Sequence, residues 1–156
     1  MDLKPQNILL TAGSRPRLKL ADFGFAQKFS TDQTKTSLRG SPLYMAPEMI
    51  LKRRYDAKVD LWSTGVIMYE CLFGRAPYKS ETVDELMAKI VEDSPIVIPE
   101  SPQISGSCRE LLGRCLTRDP QVIFCAISNL FLTVRHDSWA ERDKLLKFSN
   151  SAHKTT

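Results

Sequence analysis

The apolar positions of this chain are densest between Val59 and Phe73, where they leave almost no polar face. They are Val59, Leu61, Trp62, Val66, Ile67, Tyr69, Cys71, Leu72 and Phe73. A helix with this pattern is buried nearly all round. Gly74 provides a helix stop, and Pro77 follows three residues later. The pattern therefore predicts one long helix at the centre of the core.

Two shorter helices are predicted from their start signals. Thr82 with Glu85, and Ser107 with Glu110, each fit a capping box, in which a hydroxyl and a carboxylate satisfy the free amides of a helix start. They predict helices over residues 83–92 and 108–117. The connection between them, residues 94–102, contains three prolines and is expected to be extended.

The N-terminal part of the chain predicts strands and then a long loop. Residues 8–10 and 16–20 are apolar or alternating, and the intervening residues 11–15 include Gly and Ser, which favours a hairpin. Residues 25–43 are rich in Ser, Thr, Lys and Gln without helical periodicity. Long loops inside a compact domain are usually functional or disordered.

The character of the chain changes after Pro120. Residues 122–134 are apolar, but at 13 residues they are shorter than the ~20 needed to span a bilayer. A polar, charged tail follows. We therefore expect one domain over residues 1–120 and a divergent tail over residues 121–156, with one helix around residues 139–148 and disorder after it.

Composition narrows the class of protein. With 156 residues, 42% hydrophobic and 26% charged, the chain fits one soluble domain. The net charge of +4 is mild, and the cluster Lys52-Arg53-Arg54 has no interleaved aromatic residues, so a nucleic-acid partner is not expected. The four cysteines show no metal-binding spacing, and residues 1–5 lack the basic start and apolar stretch of a secretory signal, so none is expected. A cytoplasmic location without a membrane span is expected.

Two motifs carry the candidate chemistry: Asp2-Leu3-Lys4-Pro5-Gln6-Asn7, and Asp22-Phe23-Gly24 after the predicted hairpin. Transfer of a phosphoryl group requires a carboxylate near the acceptor hydroxyl, a cation near the moving phosphate and oxygen ligands for magnesium. Asp2, Lys4, Asn7 and Asp22 supply these three roles. Together, and in this order, the two motifs are a strong signal of phosphoryl transfer.

Two further motifs agree, and together the four resemble the catalytic domain of eukaryotic protein kinases over residues 2–120. Met45-Ala46-Pro47-Glu48 looks like the end of an activation segment, and residues 60–66, Asp-Leu-Trp-Ser-Thr-Gly-Val, look like the start of the central kinase helix. The resemblance implies a mainly α fold, the C-terminal lobe of the protein-kinase fold, with short β-hairpins near the N-terminus. The N-terminal lobe would precede Met1 and is expected to be absent.

The resemblance also implies roles for individual residues. Asp2 would be the catalytic base and Lys4 would steady the transferred phosphate. Asn7 and Asp22 would bind Mg²⁺, and Leu9 would form the floor under the adenine of ATP. Lys4-Pro5 stands in place of the tyrosine-kinase pattern. The resemblance therefore implies serine or threonine as the phosphorylated residue of the protein substrates.

The activation segment carries further expectations. Ser41 matches a position that contacts both the base and the lysine, and Ser37 matches the usual phosphorylation position, although it can equally be an unmodified loop serine. Asp60 is expected to tie the central helix to the catalytic loop. Glu48 normally pairs with an arginine near the end of the domain, but Ile123 occupies that position here, so Glu48 needs water or another cation.

The sequence of residues 21–26 and 40–48 is especially similar to that of the unc-51-like kinases that start autophagy. Calcium/calmodulin-type kinases are the alternative. The expected function is therefore transfer of the ATP γ-phosphate to Ser or Thr hydroxyls of proteins, with autophagy-initiation proteins as candidate partners. The isolated chain is expected to be inactive, because the upper half of the nucleotide pocket would be missing. The alternatives are a non-catalytic interaction module or an unstable product of a truncated isoform.

Overall fold

A computed structural model describes residues 2–24, 41–53 and 55–119 of the chain. This part is mostly helical and contains one two-stranded antiparallel sheet. Ser37, the predicted tail helix and the predicted C-terminal disorder lie outside the described residues. No helix in the described part is both long and apolar enough to cross a membrane.

The predicted hairpin is present. Strand β1 (Ile8–Leu10) pairs with strand β2 (Leu18–Leu20), with Ile8 opposite Leu20. Thr11 closes the connecting loop twice: its N–H donates to the Arg17 carbonyl at 3.0 Å, and its hydroxyl accepts from the Arg17 N–H at 2.8 Å. The second strand begins two residues later than predicted because these bonds hold Arg17 in the loop.

The predicted central helix is present with the predicted bounds, as α2 (Val59–Phe73); the four-residue helix α1 (Pro47–Ile50) precedes it. Gly74 ends α2 with a left-handed φ of 68°, and its N–H donates to the Glu70 carbonyl at 2.8 Å. Such a φ favours glycine. The prediction that α2 is buried nearly all round agrees with the structure, since Thr64 is its one exposed residue among the described residues. Leu61, Ile67, Met68, Cys71 and Phe73 keep partial exposure in the described structure.

Two further helices follow, α3 (Val83–Val91) and α4 (Gly106–Cys115). Thr82 caps α3 as predicted, accepting from the Glu85 N–H at 3.2 Å. The predicted cap of α4 is wrong. Ser105, not Ser107, accepts the first amide, from Cys108 at 3.2 Å, because Ser105 has the extended backbone of a capping residue.

The core lies where α2, α3 and α4 meet, and its largest fully buried side chains are Trp62, Val66, Ile90 and Leu112. Helices α2 and α4 approach closely at Gly65. A Cβ added there would lie 2.8 Å from Cβ of Cys115, nearer than real Cβ contacts. The predicted extended connection between α3 and α4 is confirmed, since residues 93–105 form neither helix nor strand.

Candidate active site

Asp2 lies at the centre of the candidate site and is only 8% exposed. Its Oδ1 accepts a hydrogen bond from the Ser41 N–H at 2.9 Å. Its Oδ2 forms an ion pair with Nζ of Lys4 at 2.8 Å. The structure therefore brings together the predicted base, the predicted phosphate-binding lysine and a residue of the predicted activation segment.

The contacts of Asp2 favour its ionised form. Burial opposes ionisation, but the hydrogen bonds from Lys4 and from the Ser41 amide outweigh it, so the pKa of Asp2 is below its usual value. At neutral pH the side chain is a carboxylate. It can accept a hydrogen bond from a hydroxyl placed beside it, as a general base or an orienting group must.

Asn7 fixes the conformation of the loop formed by residues 2–7. The 3-10 turn Pro5–Asn7 ends at this buried residue, whose N–H donates to the Lys4 carbonyl at 3.0 Å. Its side-chain Nδ2 donates to the Asp2 carbonyl at 2.8 Å. Because Nδ2 is used toward the loop, Oδ1 is the atom of this amide that would serve as an oxygen ligand.

The hairpin places Asp22 near Asn7. Strand β1 begins directly after Asn7, strand β2 ends two residues before Asp22, and the Ala21 N–H donates to the Asn7 carbonyl at 2.8 Å. Pairing across the hairpin therefore carries the two candidate metal ligands to the same end of the sheet, although they are distant in sequence.

The backbone at Asp22 is unusual. Its φ is 56°, in the left-handed region, and its Oδ1 accepts from the Gly24 N–H at 3.0 Å. Such a local bond is one reason why aspartate tolerates this conformation. The side chain is exposed, and Oδ2 is not used in that turn.

Leu9 and Ser41 are two further predicted site residues that the structure describes. Leu9 is 44% exposed on the middle of β1, and its place under the adenine stays a prediction. Ser41 contacts Asp2 through its backbone N–H rather than through its hydroxyl. Its proposed contact with the lysine remains a prediction.

Sequence reasoning missed the residues that hold the segment after Ser41. The Ser63 hydroxyl of α2 lies 2.7 Å from the Tyr44 carbonyl and 3.1 Å from the Val59 carbonyl. The Tyr44 hydroxyl donates to Glu70 at 2.8 Å. Ser63 and Glu70 therefore connect the central helix to this segment. The only sequence signal was their polar character inside an apolar helix.

Glu48 lies in α1 without an ion pair to any basic side chain of residues 2–24, 41–53 or 55–119. Burial raises the pKa of its carboxyl above the usual value. Its own backbone N–H opposes this shift, Asp56 adds to it, and Lys58 lowers the pKa slightly. The expectation that Glu48 lacks its usual arginine therefore agrees with the described residues. Asp60 lies in the first turn of α2, and its tie to the catalytic loop remains a prediction.

The donor set fits a magnesium nucleotide. Mg²⁺ binds hard oxygen ligands, commonly one or two protein groups together with substrate phosphates and water. Oδ1 of Asn7 and the exposed carboxylate of Asp22 are such ligands at one end of the hairpin. Lys4 supplies a positive charge beside Asp2, where an anionic phosphoryl group would pass.

A buried carboxylate paired with a lysine, next to an amide and a second carboxylate presented by a hairpin, provides the groups that the sequence predicts for phosphoryl transfer. Residues 1–125 match the protein kinase domain, and the chain belongs to this family. The predicted family membership is thereby confirmed.

Individual relatives support the narrower resemblance. The chain is 52% identical over 144 residues to the serine/threonine-protein kinase ULK3 of Xenopus laevis, covering 90% of this chain and 31% of that protein. It is 44% identical over 126 residues to the human serine/threonine-protein kinase ULK1, covering 76% and 12%. For the serine/threonine-protein kinase unc-51 of Caenorhabditis elegans the identity is 45% over 127 residues, covering 76% and 15%. The predicted similarity to unc-51-like kinases is confirmed, while the chain spans a third or less of each relative.

Proposed function

We propose that residues 2–119 form the C-terminal lobe of a serine/threonine protein kinase and that its catalytic face transfers the γ-phosphate of ATP to protein hydroxyls. The observation that carries the proposal is the contact of Asp2 with both Lys4 and Ser41. A carboxylate, a lysine and the end of an activation segment meet at one place. A carboxylate near the acceptor hydroxyl and a cation near the moving phosphate are two of the groups that the transfer requires.

Each residue has a definite task in this proposal. The carboxylate of Asp2 accepts a hydrogen bond from the substrate hydroxyl and orients its oxygen. Lys4 keeps Asp2 ionised and places positive charge beside the transferred group. Asn7 and Asp22 hold magnesium, and Leu9 lies under the adenine. The bound magnesium nucleotide supplies the phosphoryl group and the charge that stabilises its transfer.

The finer parts of the function rest on the resemblance to the unc-51-like kinases. It supports ATP and Mg²⁺ as cofactors, protein Ser and Thr residues as acceptors, and a role in autophagy-related signalling in the cytoplasm. Ser37 and Ser41 belong to the proposed activation segment. Phosphate on Ser37 would add charge to that segment and change its position.

Residues 1–156 alone are proposed to be inactive. Their sequence contains no Gly-rich loop of the kind that covers ATP phosphates in kinases. Positioning and charge stabilisation account for nearly all of the catalysis in this reaction class. A lobe that carries the catalytic residues but no groups that position ATP therefore lacks the main contribution to the rate acceleration.

The proposal is tested with two proteins, the chain itself and a chimera in which residues 1–125 replace the matching segment of the Xenopus laevis ULK3 kinase domain. With Mg-ATP and a serine peptide, we expect transfer by the chimera and none by the isolated chain. Asp22→Asn should abolish transfer by the chimera. Asp56→Asn is the matched control, because Asp56 is an exposed carboxylate that pairs with Lys58 and lies outside the two candidate motifs.

Each outcome bears on a different part of the proposal. A chimera that folds and binds the peptide but transfers nothing would overturn the catalytic role of these residues and favour an interaction module. Equal activity of the Asp22→Asn chimera would remove Asp22 from the metal site. Transfer by the isolated chain would overturn only the proposed inactivity.

A further inference from the structure

Three serines of this chain, Ser41, Ser94 and Ser101, are followed directly by proline. The structure describes all three, and they differ in exposure. Ser41 is half-buried, and its backbone N–H donates to Asp2. Ser101 is exposed, but Pro102 after it is half-buried. Of the three, Ser94 is the one at which the serine and its proline are both exposed.

The chain around Ser94 is accessible and extended. Residues 92–95 are all exposed, and they belong to the connection after α3, where they form neither helix nor strand. A residue before proline is restricted to extended backbone, and the proline nitrogen carries no N–H that could bond elsewhere in the fold. A serine in such a segment can enter the active site of another protein while the helices beside it stay folded. Ser94 therefore meets the steric conditions for modification of its hydroxyl.

A cation lies beside this serine. Nη1 of Arg118 donates to the Ser94 carbonyl, and Nε of the same side chain donates to the Ile90 carbonyl at 3.3 Å. Nη2 donates to the Tyr78 hydroxyl at 3.4 Å. A guanidinium has five N–H donors, and these contacts use three of them. Arg118 is therefore fixed next to Ser94, and a phosphate on that serine would meet an arginine that is already in position.

Two carboxylates oppose a phosphate at this place, and the arginine favours it. Asp93 precedes Ser94, and Asp119 lines the same cleft as Asp93 and Arg118. Both carboxylates belong to exposed residues, so water and salt screen their repulsion. Charge-assisted hydrogen bonds from arginine to phosphate are direct and about twice as strong as neutral ones. The attraction of Arg118 therefore outweighs the repulsion.

We propose that Ser94 is a phosphorylation site for a proline-directed kinase, one that accepts serine followed by proline, and that Arg118 binds the phosphate. In the reaction, Oγ of Ser94 forms a bond to the γ-phosphorus of ATP held by that kinase. The bond from this phosphorus to the bridging oxygen breaks, ADP leaves, and the hydroxyl proton passes to a base of the modifying kinase. The phosphate then joins the connection after α3 to the residues that follow α4.

This inference is independent of the function proposed above, because Ser94 acts only as an acceptor. Its first test uses the full chain of 156 residues, a purified proline-directed serine/threonine kinase and Mg-ATP, with mass spectrometry to locate the phosphate. Short synthetic peptides centred on each of the three serines are phosphorylated in parallel. They report the preference of the modifying kinase for each local sequence, and the rates in the folded chain are divided by the peptide rates.

After this correction, we expect Ser94 to be phosphorylated about tenfold faster or more than Ser41 and Ser101, because those two sites require local opening of the fold. Ser94→Ala should remove the fast incorporation, and Ser101→Ala should keep it. Absence of phosphate on Ser94, or a corrected rate at either other serine equal to that at Ser94, would overturn the proposal.

The part of Arg118 is tested by ³¹P NMR titration of the chain phosphorylated at Ser94. Arginine stabilises the dianionic phosphate, so its second pKa should be lower in the folded chain than in the same chain unfolded in urea, by about 0.5 pH unit or more. Arg118→Gln should remove this difference. Arg114→Gln is the matched control, since Arg114 pairs with Glu110, and should keep it. An equal or higher pKa in the folded chain would overturn the binding of the phosphate by Arg118.

Discussion

The backbone N–H of Ser41 donates a hydrogen bond to Oδ1 of Asp2 at 2.9 Å, although 39 positions separate the two residues in sequence. The bond joins the predicted activation segment to the predicted catalytic loop. Lys4 holds the other carboxylate oxygen. The position of the Asp2 carboxylate therefore depends on a residue far along the chain. A movement of the segment that begins at Ser41 would change this position directly.

Asp2→Asn should destabilise the fold in a pH-dependent way. The pKa of Asp2 is lowered in the folded state, so its contribution to the free energy of unfolding is present above the unfolded pKa and is lost as pH falls through the folded one. Hydrogen bonds to a charged group are worth about 1.5–3 kcal/mol. Urea unfolding at pH 7 should show a loss of that order, and the loss should shrink at acidic pH. An equal loss at both pH values would contradict this account.

Glu48→Gln should stabilise the chain at neutral pH. The pKa of Glu48 is raised by burial, so ionisation opposes folding as pH rises through the folded pKa, and the carboxylate costs most at pH 7. A neutral amide costs less to bury, and we expect a gain of roughly 1 kcal/mol in the free energy of unfolding. The gain should vanish below the unfolded pKa.

The same substitution also tests the missing ion pair. If an arginine outside the described residues paired with Glu48, removing the charge would leave that arginine buried alone. Glu48→Gln would then destabilise the chain. The sign of the change, measured by urea unfolding at pH 7, therefore separates an unpaired glutamate from a paired one.

Two glycines in neighbouring helices should respond in opposite directions to alanine. In α2, Gly65→Ala would place a Cβ 2.8 Å from Cβ of Cys115 and 3.0 Å from Cδ2 of Leu116. Overpacking of this kind costs about 1–3 kcal/mol. In α4, the added Cβ of Gly113→Ala meets, among the described residues, only Cδ1 of Ile98, at 3.9 Å, and the substitution should stabilise by up to about 1 kcal/mol. Thermal unfolding of the two variants measures both signs, and a stable Gly65→Ala would contradict the close helix approach.

The start of α4 can be checked with two serines. Ser105→Ala removes the hydroxyl that accepts from the Cys108 N–H and should cost about 1 kcal/mol, the usual value of a helix cap. Ser107→Ala changes a residue inside the first turn and should cost less than about 0.5 kcal/mol. A larger loss of unfolding free energy for Ser107→Ala than for Ser105→Ala, measured by urea unfolding, would show that Ser107 is the cap.

These two serines also show where sequence reasoning reaches its limit. Both Ser105 and Ser107 can accept a helix amide, and the glutamate three residues after Ser107 made it fit a capping box. The backbone conformation decides between them. Ser105 has a ψ of 154° while Ser107 is already helical. The bounds of α2, by contrast, could be predicted, because its apolar run and Gly74 give the same answer independently.

In the candidate site, too, the sequence indicates some features and leaves others open. Asp2, Lys4, Asn7 and Asp22 could be named as candidates because the reaction needs their chemical types in two short motifs, and their roles stay predictions. The contacts of Ser63 with the Tyr44 carbonyl and of Tyr44 with Glu70 could not be predicted. These contacts depend on how α2 packs against the segment that contains Tyr44, which is distant in sequence. Neither hydrophobic periodicity nor motif spacing predicts such packing.

The most direct test of the central claim is single-turnover phosphoryl transfer by the chimera that carries residues 1–125, with Asp2→Asn compared with Asp56→Asn. The asparagine keeps the shape of Asp2 but cannot accept the proton of the substrate hydroxyl. We predict that Asp2→Asn lowers the rate by about 10²–10⁴-fold, while Asp56→Asn stays within about twofold of the parent chimera. Equal rates for the two variants would contradict the assignment of Asp2 as the base.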